Sequence, residues 1–128
     1  MIYVDSSVAL AHLLSETRSP VDEFWSNETV SSRLMEYEVL NRLNSAGLGP
    51  EVTAAAGALI ASVQLLDLSV GILARARETF PMRVRTLDAL HLATMDFLRA
   101  HGQSIEVVTY DERLAAAAAA LGFPRVAL

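Results

Sequence analysis

The sequence predicts an α/β fold, a three-layer α/β/α sandwich with a mostly parallel central sheet, and three observations predict it. Short β-branched runs alternate with helix-like stretches along the whole chain, as crossover-connected parallel strands require. The 128 residues, 52% hydrophobic and 20% charged, suit one compact domain over 1–128 that buries roughly two-thirds of its unfolded surface. The two outer β-runs, Ile2-Tyr3-Val4 and Ile105 to Tyr110, both stop on an aspartate (Asp5 and Asp111), and a helix follows each.

The elements follow in order. Ile2–Asp5 reads as the first strand, and Ser7 to about Ser15 as a helix with Ser7 as its N-cap. Pro20 occupies a first helical position for Pro20–Trp25. Thr29–Ser32 is a short strand, and Leu34 to Ala46 is a helix stopped by Gly47. Pro50 opens a helix to Ser62, and Val63–Leu68 is a strand with poor alternation. Val70–Phe80 is a helix ended by Pro81. Thr86 caps a helix from Leu87 to His101, with Gly102 after it. Ile105–Tyr110 is a buried strand, Glu112–Leu121 a helix ended by Gly122, and Val126–Leu128 a short edge strand. The alanine run Ala115–Ala120 needs no partner to explain it, because alanine is the best helix former.

A net charge of −5 argues against a surface that coats nucleic acid broadly. All ten basic residues are arginine, and Arg75, Arg77, Arg83 and Arg85 fall just before Asp88. Arginine is the better phosphate fork. That cluster is either an ordinary solvated helix face or a basic patch beside an acidic pocket. The absence of cysteine excludes disulfides and thiolate metal sites, and leaves oxygen sites for hard cations. No apolar run approaches the ~20 residues that span a bilayer. No basic leader precedes the first strand, so a cytoplasmic protein with no membrane segment is expected.

In an open α/β sheet, ligands bind outside the carboxyl ends of the strands. Asp5 and Asp111 are therefore expected to converge there. Each also has a plainer reading as a helix N-cap, although Ser7 relieves Asp5 of that duty. Asp88 lies in a first helical turn, where the helix dipole alone justifies a carboxylate. On that helix Leu87, Leu90, Thr94, Phe97 and Leu98 form one stripe; Asp88 flanks it, and Asp96 points away with Ala89 and Arg99. His91, within the stripe, reads as a packed core histidine. Glu36 and Glu38 share a helix and spacing does not choose between them, while Arg42, four residues after Glu38, offers a plain surface pair. Asp22, Glu23, Asp67 and Glu106 carry no second argument and read as solvated.

If Asp5, Glu38, Asp88 and Asp111 surround one pocket, they cannot all stay ionised without compensation. Mg²⁺ or Mn²⁺ would supply it, and such an ion suits phosphodiester hydrolysis. No serine–histidine–acid or cysteine–histidine arrangement competes.

Four blocks carry a resemblance. Tyr3-Val4-Asp5-Ser6-Ser7-Val8-Ala9-Leu10, Glu38-Val39-Leu40, Thr86-Leu87-Asp88-Ala89-Leu90-His91-Leu92-Ala93 and Val108-Thr109-Tyr110-Asp111-Glu112-Arg113-Leu114 resemble the acidic blocks of PIN domains. The closing Ala118-Ala119-Ala120-Leu121-Gly122 is similar too, and the likeness covers essentially the whole chain. It is closest to small VapC-type toxins of toxin–antitoxin operons. The resemblance implies a PIN-like fold and a Mg²⁺- or Mn²⁺-dependent ribonuclease. It assigns metal-binding carboxylates to Asp5, Glu38, Asp88 and Asp111, with Ser7 and Thr109 ordering the acids and waters. It also implies a homodimer, a VapB-like antitoxin that covers the acidic pocket, and structured RNA substrates, tRNA among them. The acidity of this chain departs from the more basic character of many RNA-cutting members, and Arg83 and Arg85 are the local candidates for RNA contact.

Rival readings are a PIN-fold module acting through protein binding, a housekeeping RNA-processing nuclease, and a Mg²⁺ receiver or phosphatase domain. The last is disfavoured by the lack of any lysine and by Ser7 standing where an Asp-x-Asp phosphatase needs its second acid.

Overall fold

In the computed structural model, which describes residues 1–128, four strands pair in parallel throughout. They are β1 (Ile2–Val4), β2 (Thr29–Ser32), β3 (Gln64–Leu66) and β4 (Glu106–Val108), in the order β3-β2-β1-β4. The six helices are α1 (Ser6–Leu13), α2 (Arg33–Ala46), α3 (Pro50–Ala61), α4 (Val70–Ala76), α5 (Thr86–Ala100) and α6 (Glu112–Ala120).

The pleat sends neighbouring residues to opposite faces. Tyr3 and Val107 join Leu92, Met95, Leu98 and Leu114 in a core under α5 and α6. Val4 and Val108 join Val8 and Phe24 on the other face. A second core on the α1–α2–α3 side unites Met35, Val39, Leu43, Leu59 and Ile60. Helices therefore cover both faces, and the three-layer expectation holds.

Element ends follow local chemistry. Ser32 caps α2, its Oγ accepting from the Leu34 N–H at 3.0 Å. Gly47 stops α2 with φ 65°, a left-handed conformation that glycine adopts without a Cβ clash. Asp111 caps α6.

Several boundaries differ from the sequence expectation. Pro20–Trp25 is no α-helix; Asp22–Ser26 forms a 3-10 turn. α4 ends at Ala76 rather than Phe80. Thr86 is already inside α5, with Arg85 in the capping position and no side-chain cap. Ser7 is likewise inside α1 rather than capping it. Val126–Leu128 is not a strand: the tail makes a single parallel bridge, Arg125 opposite Val107, and then leaves the sheet. Residue 124 is a proline and can only accept there, and β4 ends at Val108, so no longer ladder forms.

The buried side of α5 is rotated from the expected stripe. Leu87 is exposed, and the buried set is centred on His91, Leu92, Met95 and Leu98. Asp88 precedes His91 and Leu92 by three and four residues, which places it on this inward face. Asp96 is not simply solvated. It accepts from Arg75 Nε at 2.8 Å and Arg99 Nη2 at 2.9 Å, joining α4 to α5. Arg75 thus serves packing, with its guanidinium 4.3 Å from the Phe80 ring centroid.

Candidate active site

The strand order reverses between β1 and β4, since β2 and β3 extend to one side of β1 and β4 lies on the other. That is the switch point at which a parallel sheet opens a crevice beyond its carboxyl ends. Val4 pairs with Val108, so Asp5 and Thr109 leave the sheet side by side and Asp111 follows two residues later.

A hydroxyl stitch joins the two exits. Ser7 Oγ donates to Asp5 Oδ1 at 2.7 Å and accepts from the Tyr110 N–H at 3.0 Å. Its proton being committed to Asp5, the 3.4 Å approach of Thr109 Oγ1 makes threonine the donor. Thr109 Oγ1 in turn accepts from the Asp111 N–H at 2.9 Å. Asp111 does cap α6, with Oδ1 accepting from the Arg113 and Leu114 amides at 2.9 and 3.3 Å. Its other oxygen takes no part in the cap. Asp5 occupies the N-cap position of α1 but makes no capping bond with its side chain.

Glu38 is separated from Glu36 by its partners. Glu36 lies 3.5 Å from exposed Arg33. Glu38 turns inward, where Oε1 accepts from His91 Nε2 at 2.8 Å. It forms no ion pair with Arg42. On the other side of the ring, His91 Nδ1 lies 2.7 Å from the Tyr3 hydroxyl. A carboxylate can only accept, so Nε2 carries a proton toward Glu38, while Nδ1 meets the Tyr3 hydroxyl. His91 is a core histidine, as expected, and also the orienter of Glu38, a role that its place in an apolar stripe concealed.

Asp88, Glu38 and Asp111 share one electrostatic field, and His91 acts on both Asp88 and Asp5. Burial pushes the Asp88 carboxyl above its ordinary range, and repulsion from Asp111 and Glu38 adds to it, while His91 and Arg85 oppose. Burial also raises Asp5, tempered by the Ser7 hydroxyl, nearby His91 and Thr109. Asp5 is 5% exposed and has no arginine beside it. The pocket is thus a cluster of oxygen donors short of positive charge, and that chemistry fits a hard divalent cation. No three acidic or histidine side chains stand arranged to hold a metal ion. Mg²⁺ does not require three, because it usually binds through one or two carboxylates and retains waters.

Arg85 acts on Asp88, as a residue three positions before it can, whereas Arg83 is exposed and has no such link to the acids. Sequence reasoning missed Arg18 and Arg42. Both line a hollow with Tyr110 and with Ser7, whose hydroxyl is bonded to Asp5. Neither falls in a charge cluster, and only the fold brings them together. No helix is long and apolar enough to cross a membrane.

The PIN domain family matches residues 2–120. Ribonuclease VapC46 of Mycobacterium tuberculosis H37Rv is 32% identical over 98% of this chain and 96% of its own length. Ribonuclease VapC35 of Mycobacterium tuberculosis CDC 1551 is 28% identical over 99% of this chain and 96% of its own. A chain of a toxin–antitoxin complex from Klebsiella pneumoniae has the same fold, with TM-score 0.63 at 17% identity over 91% of each chain. With its parallel sheet order and a family match from Ile2 to Ala120, this chain belongs to the PIN-domain family.

Proposed function

We propose that the protein is a metal-dependent endoribonuclease and the toxin of a toxin–antitoxin pair. The field that Asp88 shares with Glu38 and Asp111, together with Asp5 leaving the sheet at the β1–β4 switch point, carries the reading, supported by full-length relatives named as ribonucleases. One or two of Asp5, Glu38, Asp88 and Asp111 would hold Mg²⁺ or Mn²⁺ beside retained waters, with the others completing the acidic wall. When bound, the ion would offset the clustered charge and polarise a phosphoryl oxygen. Around it the chain's own residues have definite tasks. Ser7 and Thr109 fix the β1 and β4 exits relative to each other. The Tyr3–His91 pair sets the rotamer of Glu38. Arg85 provides positive charge beside Asp88 for an incoming phosphate.

The substrate in this reading is RNA, structured species such as tRNA included. A VapB-like antitoxin would cover the acidic pocket, and homodimerisation is the expected assembly. The neighbour drawn from a toxin–antitoxin complex agrees in fold with this pairing. Purified protein incubated with total RNA, with Mg²⁺ or EDTA, beside Asp5→Asn, tests the proposal. Metal-dependent fragments absent from the variant are expected. Fragments that persist in the variant would assign the cleavage elsewhere.

The alternative, a PIN-fold module acting through protein contacts alone, draws on Glu38 being engaged by His91 and on the absence of a ready three-ligand set. An inactive protein that still binds its antitoxin would favour it.

A further inference from the structure

Four of the ten arginines, Arg33, Arg75, Arg99 and Arg125, are held by carboxylates. Arg18 and Arg42 are not, and both are exposed beside the acidic pocket. Two hollows meet there. One of about 340 Å³ is lined by Ser7, Arg18, Arg42, Tyr110 and the opposing acid Glu16. The other, about 610 Å³, is lined by Thr17, Arg18, Ser19, Thr109, Tyr110 and Arg125. Each is large enough for a nucleotide-sized group, and Arg18 with Tyr110 forms the ridge between them.

The ridge is built rather than incidental. The Arg18 guanidinium lies 4.6 Å from the Tyr110 ring centroid, a cation–π stack that leaves its N–H edge free. Tyr110 is itself tied to the acidic pocket, because its amide donates to the Ser7 hydroxyl that serves Asp5. The outer wall is rigid too: Arg125 makes two 2.9 Å bonds to Glu112 and a 2.8 Å bond to the Thr109 carbonyl.

From this arrangement we infer that Arg18, Arg42 and Tyr110 form the seat for the single-stranded RNA segment adjoining the scissile linkage. Arg18 and Arg42 take its phosphates, and the hollows on either side of the ridge accept unstacked nucleotides. A duplex presents a continuous phosphate surface and does not fill two separated hollows; an unpaired strand does. The inference rests on the ribonuclease reading and names where its substrate lies. It also explains how a chain of net charge −5 engages RNA, by a local pair of free cations rather than a basic surface.

The test measures binding separately from cleavage. A short fluorescent single-stranded oligoribonucleotide is titrated by anisotropy into the Asp5→Asn protein, alone and with Arg18→Gln and Arg42→Gln, at several salt concentrations. Losing two phosphate contacts should flatten the salt slope by about 1.4 and weaken binding several-fold at 0.1 M salt. Arg77→Gln, which removes an exposed arginine from the end of α4, should leave both unchanged. Tyr110→Ala should weaken binding about as much as Arg18→Gln, and combining them should add little, because the ring acts through Arg18. In the enzyme with Asp5 intact, KM should rise in Arg18→Gln/Arg42→Gln more than kcat falls. Unaltered affinity and salt slope in folded Arg18→Gln/Arg42→Gln overturn the seat while leaving the nuclease standing. Absence of any metal-dependent cleavage by the unmodified protein overturns the nuclease instead, whatever the binding.

Discussion

Asp5→Asn keeps the shape of a buried side chain and removes its charge. The carboxylate is almost fully enclosed, its pKa is pushed up chiefly by burial, and its strongest protein partner is the Ser7 hydroxyl at 2.7 Å. Enclosing an ion costs several kcal/mol after relaxation. A hydrogen bond to a charged group returns about 1.5–3 kcal/mol, which leaves a net burden of about 1–3 kcal/mol on the folded state. Asparagine Oδ1 can still accept from Ser7, so the variant sheds the burden without losing the bond. In EDTA at pH 7.5, its melting temperature should rise by about 4–12 °C for a domain of this size.

The pH dependence has a definite sign. A carboxyl whose folded pKa is raised above its ordinary 3.8 binds more protons when folded. Its contribution is therefore most favourable below that value and fades as pH rises through the raised one. The gap between variant and parent should be widest at neutral pH and close on acidification. Mg²⁺ should reverse the order by stabilising the parent alone; at 100 times Kd that amounts to about 2.7 kcal/mol. Thermal melts by circular dichroism, with and without metal, read all of this. A variant that melts below the parent in EDTA at neutral pH would refute the idea that Asp5 is an uncompensated charge.

Tyr3→Phe leaves His91 Nδ1 buried without its partner, so stability should fall by about 1–3 kcal/mol; an unchanged urea midpoint would show that the Tyr3–His91 bond contributes nothing. Ser7→Ala removes both the donor to Asp5 and the acceptor for Tyr110 N–H, and nuclease activity should drop about 10–100-fold. Its acidic limb should also move to higher pH, because the lost bond was holding the Asp5 pKa down; a pH–rate profile superimposable on the parent's counts against the stitch. Although burial raises it, Asp96 ends below its ordinary range because Arg75 and Arg99 outweigh that effect. Its ion pairs stabilise above the unfolded carboxylate value and are lost as pH falls through the folded one. Asp96→Asn should therefore cost about 1 kcal/mol at pH 7 and nothing near pH 2, read by urea titration at the two pH values.

Much of the site was legible because strand ends and helix starts are local. Asp5, Asp88 and Asp111 each sit beside such a boundary, and the acidic blocks could be found from neighbouring residues alone. The choice of Glu38 over Glu36 was not legible from spacing. It depends on His91, 53 residues away, reaching across from α5. The tail was misjudged for a similar reason: Val126–Leu128 has strand-forming composition, but pairing requires a partner edge, and β4 is too short to provide one. The arginine cluster divides: Arg75 is spent on Asp96 and Arg85 acts on Asp88, while Arg18 and Arg42, which line a hollow with Ser7, belong to no cluster in the sequence.

By itself the sequence determined the alternation of the four paired strands with their helices and which aspartates follow the strand ends, because periodicity, caps and residue type act over a few positions. Only the tertiary structure decided which face of α5 turns inward, which glutamate meets His91, and which arginines remain unpaired beside the acids. Those outcomes depend on contacts between segments tens of residues apart, and the strand order β3-β2-β1-β4 is what brings them together.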